Sequence, residues 1–90
     1  MKESEKKRLR GAGHSLNAVV LIGTAGLTGA VGAEIDLALD AHELIKIKVR
    51  VGDRNERDAL IKQICANTGA ELIQRVGNTA LLYRKQSDQT

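Results

Sequence analysis

Ninety residues carrying a formal net charge of +3, 42% of them hydrophobic and 28% charged, describe one small globular unit with a modest core. Tyr83 is the only aromatic residue, so the core must be aliphatic and there is no platform for stacking nucleobases of the kind that single-strand readers use. Cys65 stands alone, which excludes an intramolecular disulfide, and no run approaches the ~18–20 apolar residues of a membrane span.

Ser4 to about His14 reads as a short helix capped by Ser4, with Leu9 and Ala12 as a thin apolar edge and Gly11 and Gly13 weakening its end. Lys2, Lys6, Lys7, Arg8 and Arg10 make it basic against only Glu3 and Glu5. Ala18–Ile22 is a continuous apolar run, expected to be a strand buried on both faces or set in a parallel sheet. Gly23-Thr24-Ala25-Gly26 then breaks the chain.

Leu27 to about His42 repeats Leu27, Val31, Ile35 and Leu39 every four residues, the pattern of a helix, with Thr28 as its N-cap. Gly29 and Gly32 in its first turns each cost roughly 1 kcal/mol relative to Ala, which implies close packing or backbone approach there. Ile45–Val51 alternates strictly. It is the clearest strand, with Ile45, Ile47, Val49 and Val51 facing the core and Lys46, Lys48 and Arg50 facing away.

Asp53 and Glu56 form a capping-box start to a helix running to about Asn67, whose inner stripe is Leu60, Ile61, Ile64 and Cys65 and whose C′ glycine is Gly69. Ala70–Val76 and Thr79–Arg84 flank Gly77-Asn78, the signature of a tight hairpin. The polar tail from Lys85 to Thr90 is expected to fray. The order α-β-α-β-α-β-β predicts an α/β fold, an α+β two-layer sandwich with a mixed four-stranded sheet. Strands one to three run parallel and the fourth is antiparallel to the third. A single domain spans residues 1–90, with an ordered core over about 4–84.

Two features carry chemistry. The Gly23–Gly26 turn joins a strand to a helix N-terminus, where free amides and the positive end of the helix dipole favour a phosphate. It is neither a Walker loop nor a dinucleotide fingerprint, because no Gly-Lys-Ser/Thr follows and the G-x-G-x-x-G spacing is missing. Lys46, Lys48 and Arg50 share one sheet face about 6–7 Å apart and repel one another, which suits either solvent or an anion laid across them.

Catalysis has no support. His14, His42 and Cys65 match no zinc spacing, Cys65 and His42 have ordinary core and helix-end explanations, and Ser4, Ser15 and Ser87 lie in no nucleophile context.

His14-Ser15-Leu16, Val19-Val20-Leu21-Ile22-Gly23-x-x-Gly26-Leu27-Thr28, Ala33-Glu34-Ile35 and His42-Glu43-Leu44-Ile45-Lys46-Ile47-Lys48 together resemble the CRM domain over roughly residues 4–84. The stand-alone bacterial members of that family are the YhbY-like proteins. The resemblance implies a fold similar to the C-terminal domain of translation initiation factor three, a GxxG loop comparable to that of KH domains, RNA binding, and association with precursors of the large ribosomal subunit. Carried over, the loop would be Gly23, Thr24, Ala25 and Gly26, followed by Thr28, with Lys46 and Lys48 as neighbouring contacts. Thr24-Ala25 brings no charge where family loops often place a lysine or amide. Asn17-Ala18 stands where a Lys-Pro is common. Weight therefore shifts to Lys6, Lys7, Arg8 and Arg10 of the first helix and to Lys46, Lys48 and Arg50 of the second strand.

The expected protein is a cytoplasmic, monomeric, non-enzymatic RNA binder, with rRNA of the large-subunit precursor as partner and no cofactor, metal, small-molecule substrate or membrane. The alternative is a protein–protein adaptor docking on a ribosomal protein or translation factor through the open sheet face or the acidic side of helix two (Glu34, Asp36, Asp40).

Overall fold

The computed structural model describes residues 1–86. Along the chain lie α1 (Glu3–Gly13), β1 (Ala18–Ile22), α2 (Gly29–His42), β2 (Leu44–Val49), α3 (Arg54–Thr68), β3 (Glu71–Val76) and β4 (Thr79–Tyr83). The expected order of elements and the mixed four-stranded sheet are both present. The tail beyond Gln86, expected to fray, lies outside the described residues.

The sheet order is β1-β2-β4-β3. β2 pairs parallel with β1 and antiparallel with β4, and β4 pairs antiparallel with β3. β1, β2 and β3 thus run the same way, as strand–helix–strand connections require, while the hairpin strand β4 inserts between β2 and β3. The sequence of β4 fits that central place: Ala80, Leu81 and Leu82 are buried in succession, so both its faces are covered.

One face carries the main core. Val20 and Ile22 of β1, Ile45, Ile47 and Val49 of β2, and Ala80 and Leu82 of β4 meet Ile35 and Leu39 of α2 and Ile61 and Ile64 of α3. Burial of each Val, Leu or Ile side chain stabilises by about 1.5–3 kcal/mol, so this layer holds the fold. Local signals fix its edges. Asp53 Oδ1 accepts from the Glu56 N–H at 2.9 Å, Glu56 reaches back to the Asp53 N–H, and Gly69 ends α3 at φ +74°. In the hairpin Gly77 alone takes a positive φ, +61°, as a glycine-first two-residue turn requires. Arg75 ties the hairpin to α3 through Asp58 at 2.7 Å.

α1 lies against the opposite face. Leu9 packs on Ile73 and Leu81, with Leu16, Leu44 and Tyr83 around them. The helix starts at Glu3 after Lys2, which makes no side-chain cap, so Ser4 sits in the first turn instead of capping. Its buried edge is Leu9 and Gly13; Ala12 is exposed. Gly13 is kept helical by contact with the sheet: a Cβ there would meet Leu81 Cδ2 at 2.5 Å.

Two other expectations change. β1 takes the parallel setting but is an edge strand covered on one face only, so Val19 and Leu21 are 49% and 57% exposed. Gly29 and Gly32 face open space, with nothing near a Cβ at Gly29 and only Leu27 Cδ1 at 3.9 Å from one at Gly32. Packing within the chain does not account for them.

Candidate nucleic-acid interface

With Ile45, Ile47 and Val49 in the core, the pleat of β2 sends Lys46 and Lys48 to the α1 side of the sheet. Both are half-buried, and Arg50, just past the strand, is exposed. Lys46 sits opposite Ala18 of β1 and Leu81 of β4, and Lys48 opposite Leu21 and Thr79. The C-terminal end of α1 closes the Lys46 end, where Gly13, His14, Gln74, Val76, Thr79 and Leu81 share a cavity of about 60 Å³ with it. His14 follows α1 while Gln74 and Thr79 belong to the β3–β4 hairpin, and no sequence pattern links them to Lys46.

At the other end the Arg50 N–H donates to the Ile22 carbonyl at 2.8 Å, so Arg50 stands beside the start of the glycine loop. The loop is a closed turn: the Gly26 N–H donates to the Gly23 carbonyl at 2.9 Å, and Gly26 takes φ +74°, which favours glycine there. Gly23, Thr24 and Ala25 are exposed and Gly26 is half-buried. Thr28 Oγ1 accepts from the Val31 N–H at 3.2 Å, so its hydroxyl caps α2. The Gly29 and Ala30 amides lie in the first turn, where no intrahelical acceptor reaches them, at the positive end of the dipole.

The register therefore sets Lys46, Lys48, Arg50 and the start of the loop in succession along the β1–β2 pair. Lys7 and Arg8 are exposed on α1, with Lys6 and Arg10 half-buried. The first turn of α1 lies toward the opposite end of the sheet, where Met1 and Glu5 border Gly69, Glu71 and Tyr83. The cations of α1 thus flank the stripe and do not extend it in line.

Acidic partners are engaged elsewhere. Among the described residues, ion pairs join Arg75 to Asp58 and Arg84 to Asp36 and Asp40, at 2.7–2.8 Å. Arg84 also donates to the carbonyls of Thr68 and Asp36. Its hydrogen bond to Asp36 is the main reason its guanidinium is held above its ordinary pKa, with the charges of both carboxylates adding to it. Lys46, Lys48 and Arg50 have no acidic partner within 4.0 Å among the described residues.

Cys65 is half-buried, and desolvation, then the charge of Glu71, pushes its thiol up, away from a reactive thiolate. Among the described residues no three His, Cys, Asp or Glu side chains gather as a metal site, and no helix is long and apolar enough to cross a membrane.

The family model described as the CRS1 / YhbY (CRM) domain matches residues 1–84. The chain belongs to the CRM domain family. A Haemophilus influenzae relative named "RNA-binding protein" is 43% identical over 84 residues, covering 93% of this chain and 85% of its own length. A Pseudomonas aeruginosa relative named "Probable RNA-binding protein" is 41% identical over 83 residues, covering 92% and 80%. The solution structure of a hypothetical protein from Staphylococcus aureus, described as a candidate RNA-binding protein, superposes with a TM-score of 0.85 at 26% identity over 100% of this chain and 94% of the other. In this CRM domain the loop and the β2 stripe adjoin because β1 and β2 are parallel neighbours whose C-terminal ends share one edge. Sequence reasoning did not single out Val19 and Leu21, which the edge position of β1 leaves exposed beside the lysines.

Proposed function

We propose that this CRM-domain protein binds RNA through the phosphate backbone and acts, without catalysis, as a cytoplasmic, monomeric assembly factor on precursors of the large ribosomal subunit. The carrying observation is the line of Lys46, Lys48 and Arg50, free of acidic partners among the described residues, that runs into the exposed glycine loop at the N-terminus of α2. A row of cations ending in free amides matches a polyanion of regular charge spacing. Gly23, Thr24, Ala25 and Gly26 supply the loop contact in this reading, and Lys6, Lys7, Arg8 and Arg10 supply flanking charge. The names of the two bacterial relatives support RNA as the partner. The ribosomal role rests on the likeness to the stand-alone family members.

The adaptor alternative is weakened by Arg84, whose ion pairs to Asp36 and Asp40 offset one of the three negative charges on the acidic side of α2. Sucrose-gradient fractionation tests both readings. Comigration with large-subunit particles that is lost after RNase, and lost again in Lys46/Lys48/Arg50→Glu, is expected. Comigration indifferent to RNase and to charge reversal would assign the protein to a protein partner instead.

A further inference from the structure

The cationic row has polar neighbours, His14, Gln74 and Thr79, on its β4 side and apolar ones on the other. On its β1 side lie Val19 and Leu21, 49% and 57% exposed, and Leu21 is the register partner of Lys48. Past the Lys46 end the surface dips into a groove of about 510 Å³, lined by Leu16, Val19 and Leu44 together with Ser15, Asn17 and Lys46. Apolar side chains left exposed in a strip beside unpaired cations call for an occupant that is anionic along one edge and flat and apolar along the other.

The geometry points to an unpaired RNA strand as that occupant, a reading that rests on the RNA-binding function proposed above. Its phosphates lie on Lys46, Lys48 and Arg50, its bases over Val19 and Leu21, and one base sits in the groove. Side chains two apart on β2 are about 6–7 Å from one another, close to the separation of successive phosphates along one strand. The run from Lys46 to Arg50 spans about 13 Å, room for a few nucleotides. The groove is large enough for a base, and Asn17 in its lining is of the type that hydrogen-bonds base edges. An A-form duplex fits worse, because its bases are stacked inside and would leave Val19 and Leu21 in water. Contact by aliphatic side chains also explains how a chain with a single aromatic residue can hold bases at all.

The test is a fluorescence-anisotropy titration of the full chain with a short single-stranded RNA and with the same sequence in a blunt duplex, repeated over a series of salt concentrations, the two RNAs being compared at the same salt. The variants are Val19→Asn/Leu21→Asn, which keeps every charge, and Lys48→Gln. Both apolar positions are exposed, and an unchanged circular dichroism melt shows that the variant folds. Tighter binding of the single strand is expected. The double asparagine variant should lose about fivefold or more of that affinity with its salt dependence intact. Lys48→Gln should instead lower the salt slope by about 0.7. Equal or tighter binding of the duplex, or full affinity in the asparagine variant, overturns the inference while leaving RNA binding standing. Failure of the wild-type chain to bind either RNA overturns the proposed function itself. So does an acidic, leucine-containing peptide that occupies this face when RNA does not.

Discussion

Two glycines of α1 stand two residues apart and should respond oppositely to the same substitution. A Cβ at Gly11 would meet nothing within 4 Å, whereas one at Gly13 would meet Leu81 Cδ2 at 2.5 Å and Cδ1 at 2.8 Å. Leu81 is 3% exposed and packed with Leu9 and Ile73, so moving it aside disturbs that cluster even with the cavity of about 60 Å³ beside it. Gly11→Ala removes the helix penalty of glycine and should stabilise by about 0.5–1 kcal/mol. Gly13→Ala gains the same but overpacks the seam by about 1–3 kcal/mol, for a net loss of about 1 kcal/mol. The two variants should differ by about 2 kcal/mol, or roughly 8–16 °C in Tm for a domain of this size. Thermal melts followed by circular dichroism read this directly. Equal melting temperatures, or a more stable Gly13→Ala, would mean that α1 does not lie on the sheet. The Lys46 end would then be open, not closed by Gly13 and His14.

Arg84→Ala removes bonds to Asp36, Asp40 and the Thr68 carbonyl and should destabilise by about 1–2 kcal/mol, a modest figure because the carboxylates are largely exposed. The folded-state pKa of Arg84 is raised, so its contribution is complete below the ordinary arginine value and disappears only as pH rises beyond it. The loss in urea titrations should therefore be flat across the neutral range. Gly26→Ala tests the loop backbone without charge: at φ +74° it should cost about 1–2 kcal/mol in a urea melt. Gly26→Asp adds a negative charge at the N-terminus of α2 and should weaken RNA binding more than Gly26→Ala does in a filter-binding assay. Cys65, with its thiol pushed up by burial, should alkylate many-fold more slowly in the native state than in urea at mildly alkaline pH. The neutral thiol favours the folded state, so this contribution holds below the ordinary thiol pKa and is lost as pH rises through the raised one.

Much of the fold was legible because its signals are local. Asp53, Glu56 and Gly69 bound α3 by themselves, Gly77-Asn78 forces the hairpin, and strict alternation in β2 fixes which side of the sheet each lysine takes. Features set by tertiary placement were not legible. A continuous apolar run such as β1 carries no period, so nothing in it says that the strand is an edge with Val19 and Leu21 uncovered. Gly13 reads as a helix breaker until Leu81, distant in sequence, is seen against it. The candidate interface divides the same way. Its cations and glycine loop are visible as sequence, whereas the groove at Leu16, Val19 and Leu44 exists only after α1, β1 and β2 come together.

In the proposed mode of binding the row Lys46, Lys48 and Arg50 neutralises RNA phosphates. The most direct measurement is the RNA affinity of wild type and of Lys46/Lys48/Arg50→Gln as a function of salt. Three lost contacts to a single strand should flatten the slope of log affinity against log salt by about 2, with affinity falling at every concentration. An unchanged slope in a folded variant would place the phosphates elsewhere and contradict the account.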